Sequence, residues 1–255
     1  MKEKIEVYKT AVTEALNQHI SVRSFIDKPV PDDMLHAILN AARRSPTSSN
    51  MQTYSIIVVR NLEMRKKLAV LAGNQKHIEQ CDVFVGFLAD IHRLETVSQM
   101  HDQAMTKTLE TTLVSTVDAA LVGMSAQTAA ESFGLGAVMV GGMRNQPQAV
   151  AELLGFPSGV YMVYGMSIGW PADNAIPESL KPRLPEPLVI HYEQYNDENP
   201  KPYIDKYDME LADYYGQQNR NQHQAAWSGP IAKRLINPSR PHLRQTLEEM
   251  GFSLD

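Results

Sequence analysis

The longest patterned stretch of the chain, residues 111–133, has apolar positions at helical spacing. Large apolar residues recur every three or four positions and predict one helical face: Leu113, Val114, Val117, Ala120, Leu121 and Met124. The opposite face carries small or apolar residues as well: Ala119, Val122, Gly123 and Ala126. A helix that is apolar nearly all round is buried on every side, so we expect it at the centre of the fold or in a subunit interface. Gly134 predicts its end.

Shorter patterns divide the rest of the chain into helices and strands. Helical spacing predicts a helix just before His19 and others at 31–42, 62–71, 146–154, 205–217, 227–236 and 240–250. Short runs rich in β-branched residues predict strands at 54–60, 81–89, 136–142, 161–169 and 188–191. Residues 170–187 are rich in proline and therefore extended. They form a domain linker or, as we favour, an arm that lies across a partner subunit.

Polar side chains alternate near the start of the chain, where His19, Ser21 and Arg23 occupy every second position. In an extended segment these three point the same way and offer hydrogen-bond donors and a fixed positive charge to a phosphate or another anion. Far downstream, Lys181 and Arg183 flank a proline, which favours extended backbone and places both cations on one face. Polar alternation by itself is typical of a strand with one wet face, but two such clusters suggest one bound phosphorylated cofactor.

Length, charge and cysteine content exclude several classes of protein. The 255 residues suffice for one large domain or two small ones, and the single cysteine excludes an internal disulfide framework. Cys81 lies in an apolar run, where a free cysteine packs as a small hydrophobe. We expect no signal peptide and no membrane span, and the net charge of −5 argues against general nucleic-acid binding. These features predict a cytoplasmic protein.

Two groups of glycines follow the long helix. Gly134 and Gly136 match the start of a dinucleotide-binding fingerprint, but Met139 replaces its third glycine and the glycines follow a helix instead of opening one. We therefore exclude that fingerprint. Gly141 and Gly142 indicate either a place where the backbone approaches another group closely or a simple turn or bulge.

Two polar segments have readings that the residues leave open. The loop 47–52 offers hydroxyls and amides. It is either an ordinary solvated connection between a helix and a strand or a site for a heteroaromatic edge, such as the pyrimidine ring of a flavin. Residues 75–77 follow a Gly-Asn pair and are typical of a surface loop.

Ionisable residues show no obvious machinery for acid–base, nucleophilic or metal catalysis. Asp82, Asp90 and Asp118 form no carboxylate pair, and the spacing of His92 and His101 fits no compact metal motif. No G-x-S-x-G nucleophile elbow is present. This absence is typical of an enzyme whose cofactor carries the chemistry.

Taken together, these segments resemble the nitroreductase-like flavoprotein family, in particular its branch of NADPH-dependent oxygen-insensitive nitroreductases and flavin reductases. The resemblance runs from residue 19 to residue 227, over nearly the whole chain. Each marker is weak singly, but their order and number make the match specific. The markers are residues 19–25, the Ser-rich loop ending in Gln52, and residues 73–77, 134–145, 169–174 and 180–185.

The resemblance implies an α+β fold, with a mixed, mainly antiparallel sheet flanked by helices. Residues 1–255 would form a single FMN-binding domain, and two chains would form a homodimer with the 111–133 helix in its interface. An excursion at about 170–255 would wrap the partner and form the NAD(P)H loop. The other partners would be small-molecule electron acceptors, with neither nucleic acid nor membrane involved.

The implied activity is that of an FMN-dependent oxidoreductase that uses NAD(P)H, preferentially NADPH. It would reduce nitroaromatics, quinones or free flavin by a ping-pong mechanism, in which a hydride passes to flavin N5 before the acceptor binds. One alternative is a non-catalytic flavin-binding protein that acts as a carrier or sensor. Another is an anion- or nucleotide-binding module without flavin.

The resemblance also implies roles for individual residues. Four would bind the FMN phosphate: His19, Ser21, Lys181 and Arg183. Arg23 would reach the N1/O2 edge of the flavin, and the polar loops and the glycine turn would contact the ring or the ribityl chain. The implied cofactor-binding set is His19, Ser21, Val22, Arg23, Thr47, Ser48, Ser49, Gln52, Gln75, Val140, Gly141, Gly142, Lys181 and Arg183. No catalytic side chain or metal ligand is implied, since the flavin carries the chemistry.

The chain departs from this branch at two positions. Ile20 stands where an arginine is common, which leaves FMN binding intact. Gln218 stands where the branch has an arginine for the 2′-phosphate of NADPH, and Arg220 follows two residues later in a basic region. We expect Arg220, with Gln218 beside it, to take over that phosphate contact.

Overall fold

The computed structural model describes residues 8–218, 226–237 and 239–255. They form two compact units: the described residues of Pro177–Pro241, and those up to Ile176 together with His242–Asp255. The chain's end packs in the first unit, where Leu247 and Phe252 are part of its hydrophobic core.

Four strands form the sheet of the first unit in the order β1-β2-β4-β3, and all neighbouring pairs are antiparallel. They are β1 (Tyr54–Val59), β2 (Val83–Asp90), β3 (Gly136–Val140) and β4 (Val160–Gly169). The two central strands are buried along their whole length, which explains why they appear in the sequence as continuous apolar runs. The expected α+β class and these four strands are confirmed, with ends that differ by at most two residues.

Helices pack around this sheet in the first unit: α1 (Ala11–Asn17), α2 (Asp32–Ala42), α3 (Leu62–Leu71), α4 (His77–Gln80), α5 (His92–Gln99), α6 (Leu109–Ser132), α7 (Pro147–Leu154) and α10 (Leu243–Glu249). The second unit contains α8 (Lys201–Gln217) and α9 (Ser228–Ile236). Short 3₁₀ turns occur at Ser48–Asn50, Gly141–Asn145 and Glu186–Leu188. The predicted helices are confirmed, whereas α4 and α5 were not predicted.

The strand predicted at 188–191 is wrong. The amide N–H groups of Val189 and Ile190 both donate to the carbonyl oxygen of Glu186, at 2.9 Å each. A short apolar run forms a strand only when a neighbouring strand supplies its hydrogen bonds, and here a turn uses those donors instead.

Helix α6 packs against the sheet through its small residues. Ala119, Val122 and Ala126 are buried, and a side chain at Gly123 would clash with the Tyr164 ring of β4. The large apolar residues of the other face stay exposed in the single chain: Leu113, Val117, Leu121 and Met124. Burial on every side is therefore not reached within one chain. Among the described residues, no helix, including α6, is long and apolar enough to cross a membrane.

Candidate cofactor site

The segment at 19–25 runs extended along the edge of the sheet. Ser21 forms a parallel bridge with Ala137 of β3, and the Val22 N–H donates to the Ala137 carbonyl oxygen at 3.0 Å. The Val22 side chain is buried against Gly136, where an added Cβ would lie 2.7 Å from it. Ser21 and Arg23 are exposed on the other side. The predicted alternation is present, and Val22 anchors the segment while its two neighbours face outward.

His19 lies against two polar residues of α6. Its Nδ1 atom is 2.7 Å from Oε1 of Glu131 and 2.7 Å from Nε2 of Gln127. Gln127 is buried and also donates to Glu131 Oε1 at 3.1 Å. The imidazole is therefore held by a carboxylate that sequence reasoning missed. The available signal was a polar pair four residues apart near the end of a largely apolar helix.

The loop 47–52 has a defined shape instead of being an unstructured connection. Ser49, Asn50 and Gln52 have φ angles of +48°, +55° and +51°, in the left-handed region that non-glycine residues rarely adopt. Ser48, Ser49 and Gln52 are exposed. Arg93 of α5 donates to the Gln52 carbonyl oxygen at 3.1 Å and so holds the end of the loop.

A buried carboxylate on α6, Asp118, organises this loop. One of its oxygens accepts the Ser48 N–H at 3.1 Å; the other accepts the Thr53 N–H at 3.1 Å and the Thr53 hydroxyl at 2.7 Å. Asp118 is only 1% exposed. Sequence reasoning looked for a carboxylate pair and set this residue aside. A buried-looking acid in the largely apolar stretch 111–133 was the signal that could have found it.

Gln75 and His77 form a hydrogen-bonded pair beside the glycine turn. Gln75 Nε2 donates to the Ala72 carbonyl oxygen at 2.9 Å, and Gln75 Oε1 lies 2.9 Å from His77 Nε2. An added Cβ at Gly142 would lie 2.5 Å from Gln75 Nε2 and 2.6 Å from the Ala72 oxygen. The close approach expected at Gly142 is therefore confirmed, in a segment, Gly141–Asn145, that also makes a 3₁₀ turn.

The expectation of a surface loop at 75–77 is wrong for His77, which begins α4 and is buried. Burial, and secondarily the positive charge of Arg23, lower the pKa of His77 below its usual value. Arg23, Gln75 and Gly142 thus lie in one corner of the first unit, next to the end of β3. The loop 47–52 is anchored elsewhere. Asp118, which holds that loop, and Gln127, which contacts His19, are nine residues apart on α6. This spacing corresponds to about 13 Å along the helix.

The second unit carries the other predicted cations. Lys181 and Arg183 are exposed in a segment without regular secondary structure, and the Arg183 guanidinium donates to the Lys181 carbonyl oxygen at 3.0 Å. Pro182 between them is half-buried, and its carbonyl oxygen accepts the Tyr207 hydroxyl at 3.1 Å. Both cations are therefore accessible, while their arrangement on one face stays a prediction.

Of the two residues predicted for the 2′-phosphate, Gln218 follows the end of α8 and Arg220 lies outside the described residues. Asp208 of α8 is a further buried acid in this unit. It accepts the N–H groups of Trp227 and Ser228, at 2.6 and 2.9 Å, and the Ser228 hydroxyl. It therefore fixes the start of α9, a role that no pattern in the sequence marks.

The donor chemistry of these residues fits FMN. An imidazole, a hydroxyl and cations suit a phosphate, while an amide beside a side-chain-free turn suits the polar edge of a flat ring. A Cβ at Gly142 would collide with Gln75 and Ala72, so only glycine lets this turn pack directly against the Gln75 amide. Fold and site together define an α+β protein that binds a phosphorylated heteroaromatic cofactor.

The chain belongs to the nitroreductase family. The model described as "Nitroreductase family" matches residues 16–170, and the model for the C-terminal domain of the same family matches residues 181–255. The family expected from the sequence motifs is therefore confirmed.

Its relatives cover nearly the whole chain. The oxygen-insensitive NADPH nitroreductase of Salmonella typhimurium is 40% identical over 94% of this chain and 97% of its own length. The FMN reductase [NAD(P)H] of Bacillus subtilis is 38% identical over 96% of this chain and 98% of its own length.

Solved structures agree with the fold of the chain. B. megaterium NfrA2 has a TM-score of 0.92 at 35% identity, over 97% of this chain and 100% of its own. The NADPH:FMN oxidoreductase from Vibrio harveyi, solved with NAD⁺, has a TM-score of 0.86 at 33% identity, over 96% of this chain and 100% of its own.

Proposed function

We propose that this protein reduces small, flat electron acceptors, such as nitroaromatics, quinones or free flavin, in two successive half-reactions. Its class, an NAD(P)H-dependent oxidoreductase with FMN as cofactor, is that of its relatives. The observation that carries the site is the exposed Ser21–Arg23 face beside the corner formed by Gln75 and Gly142. FMN, when bound there, supplies the redox chemistry.

In this proposal the chain's residues bind and orient instead of reacting. The residues that the sequence motifs assign to the phosphate, His19, Ser21, Lys181 and Arg183, bind it through charge-assisted hydrogen bonds. Arg23 places a positive charge at the N1/O2 edge, where negative charge develops on reduction.

Other predicted residues orient the ring and the ribityl chain. The loop 47–52 offers the exposed side chains of Ser48, Ser49 and Gln52, with Thr47 half-buried behind them. Gln75 offers its amide, and Val140 ends the strand that leads to Gly141 and Gly142. Rigid support of these groups, above all by Asp118, keeps them ready for the ring before it binds.

The proposed assembly is a homodimer whose interface contains α6. The exposed apolar face of this helix lies beside loop 47–52, and Leu113, Val117 and Leu121 line a cleft of about 320 Å³ there. An exposed apolar stripe of this kind marks an interaction surface. A second chain would cover it, and the cofactor would then draw on residues from both chains.

Val117→Glu is expected to break this dimer. Val117 is 54% exposed in the single chain, and the proposed interface would cover it. A glutamate at this position would therefore be an unpaired carboxylate buried in the interface. We expect the dimer dissociation constant, measured by analytical ultracentrifugation, to rise by more than about tenfold. Val70→Glu is the matched control, since Val70 is 59% exposed on α3, far from α6 in sequence. A monomeric wild-type protein, or equal effects of the two changes, would contradict the proposal.

The visible spectrum of the purified protein, followed by anaerobic titration with NADPH and NADH, tests the function. A yellow protein that is bleached by a reduced nicotinamide and restored by a quinone supports the oxidoreductase. A yellow protein that reduces no acceptor would instead be a flavin carrier or sensor. A protein that stays colourless after addition of FMN would be an anion- or nucleotide-binding module without flavin.

Arg220→Ala is expected to raise KM for NADPH more than KM for NADH, since only NADPH carries the 2′-phosphate that the guanidinium would bind. Steady-state kinetics with both cosubstrates measure the effect. Arg234→Ala on the exposed part of α9 is the control for a general loss of positive charge. Equal changes in both KM values would remove Arg220 and its neighbour Gln218 from this role.

We place this activity in the cytoplasm, where NAD(P)H is regenerated and thiols stay reduced. The only cysteine, Cys81, is buried, and burial raises the pKa of its thiol to about 11, so it stays protonated. The partners we expect are small molecules and a second copy of the chain. The net charge of −5 argues against nucleic acid.

A further inference from the structure

His77 is a buried ionisable residue that the proposed mechanism does not yet use. It is 8% exposed, and both of its ring nitrogens have polar neighbours. Nε2 lies 2.9 Å from Gln75 Oε1, and Nδ1 lies 3.1 Å from the Ser167 hydroxyl oxygen of β4. The ring therefore joins a fully buried strand to a side chain of the candidate cofactor site.

A backbone carbonyl determines where every proton of this chain of contacts lies. The Ala72 carbonyl oxygen can only accept, so the end of the Gln75 amide that lies 2.9 Å from it must be the NH₂ group. The other end, which faces His77, must then be the oxygen. Because that oxygen can only accept, His77 Nε2 must carry the proton.

The same reasoning applies to the contact between His77 and Ser167 of the sheet. In a neutral imidazole that is protonated at Nε2, Nδ1 is an acceptor, so the Ser167 hydroxyl must donate to it. The charges around His77 favour this neutral ring. Arg23 is a cation, Gln75 and Ser167 are uncharged, and the thiol of nearby Cys81 keeps its proton.

We propose that His77 is a positioning residue that holds the Gln75 amide with its nitrogen toward the Gly142 backbone, so that Gln75 donates to the cofactor and never accepts from it. One amide hydrogen is used by Ala72, which leaves the second to be donated to the cofactor. Gln75 is thereby selective for a ring carbonyl oxygen or an unprotonated ring nitrogen. This inference rests on the proposed function, because it assigns Gln75 its partner in FMN.

The tautomer of His77 can be measured without the cofactor. Long-range ¹H–¹⁵N correlation spectra of the ¹⁵N-labelled apoprotein and of the FMN-loaded protein at pH 7 to 8 distinguish a proton on Nε2 from one on Nδ1. We expect the Nε2-protonated form in both states. A proton on Nδ1, or exchange between the two forms, would overturn the inference even if FMN binds and turns over.

A pair of substitutions at His77 tests its effect on the site. Glutamine can place an N–H donor near the position of Nε2, whereas asparagine reaches only as far as Nδ1. We expect His77→Gln to keep the FMN dissociation constant within about twofold and His77→Asn to raise it by about tenfold, the usual effect of losing one hydrogen bond. Fluorescence titration of the apoprotein with FMN measures this constant.

The midpoint potential of the bound flavin gives a second readout. A donor at a ring acceptor stabilises the electron-rich reduced state, so His77→Asn should lower the potential and His77→Gln should leave it near the wild-type value. Equal effects of the two variants on affinity and potential would mean that His77 only fills space. Absence of FMN binding in the wild type would instead defeat the proposed function while leaving the tautomer result valid.

Discussion

Asp118→Asn is expected to lower the free energy of unfolding by about 2–3 kcal/mol, although the two side chains have nearly the same shape. Both oxygens of Asp118 accept a backbone N–H, one from Ser48 and one from Thr53. Asparagine has a single oxygen, so one of these N–H groups must face an NH₂ group and remain unsatisfied. Because the residue is buried, water cannot compensate. Urea unfolding followed by circular dichroism measures the change.

The same substitution should weaken FMN binding, since Asp118 holds the loop that carries Ser48 and Ser49. Asp213→Asn, an equivalent change on the exposed side of α8, is the control and should alter the unfolding free energy by less than about 0.5 kcal/mol. If Asp118→Asn were as mild as this control, the loop would not depend on the buried carboxylate.

Arg183→Ala should raise the FMN dissociation constant by about 10- to 150-fold. A charge-assisted hydrogen bond to the phosphate contributes roughly 1.5–3 kcal/mol, and each 1.4 kcal/mol is a factor of ten. The Arg183 side chain is exposed and donates from Nη1 to the Lys181 carbonyl oxygen. A guanidinium has five N–H donors, so others remain for a ligand. Fluorescence titration of the apoprotein with FMN measures the effect.

Two further variants distinguish a direct contact with the phosphate from the general electrostatic attraction of positive charges on the protein. Arg183→Lys keeps the charge but loses the planar pair of donors, so its dissociation constant should lie between those of the wild type and Arg183→Ala. Lys206→Ala removes an exposed cation from the same unit and should change FMN affinity by less than about twofold. Unchanged affinity in Arg183→Ala would show that the phosphate lies elsewhere.

Periodicity predicted most elements because each reflects contacts between residues close in sequence. Helix α3 was predicted with both ends as observed, and the four strands within two residues. The short helices α4 and α5 were missed, since four or eight residues give too little periodicity to recognise. The helix α6 was predicted correctly, but its apolar pattern did not show that the face with the small residues packs on the sheet.

The candidate site was predictable where a motif occupies one segment. The alternation from His19 to Arg23 and the close approach at Gly142 were both found in this way. The residues that were missed act at long range: Asp118 on the loop 47–52, Glu131 on His19, and His77 on Ser167 of β4. Their partners are up to 112 positions away in the chain, and neither spacing nor composition reports such pairs.

The amino-acid order was enough to establish most of the helices, the four strands of the sheet, the alternation at 19–23 and, through its motifs, the family. These depend on backbone preferences and on alternation of side chains, which act over a few residues. Only the folded chain decided which face of α6 is buried and which acid of that helix supports a loop. It also decided that the Ala72 carbonyl orients Gln75 and, through it, the proton of His77. Such choices follow from close packing and from the need to satisfy every buried polar group, which arise only when distant segments meet.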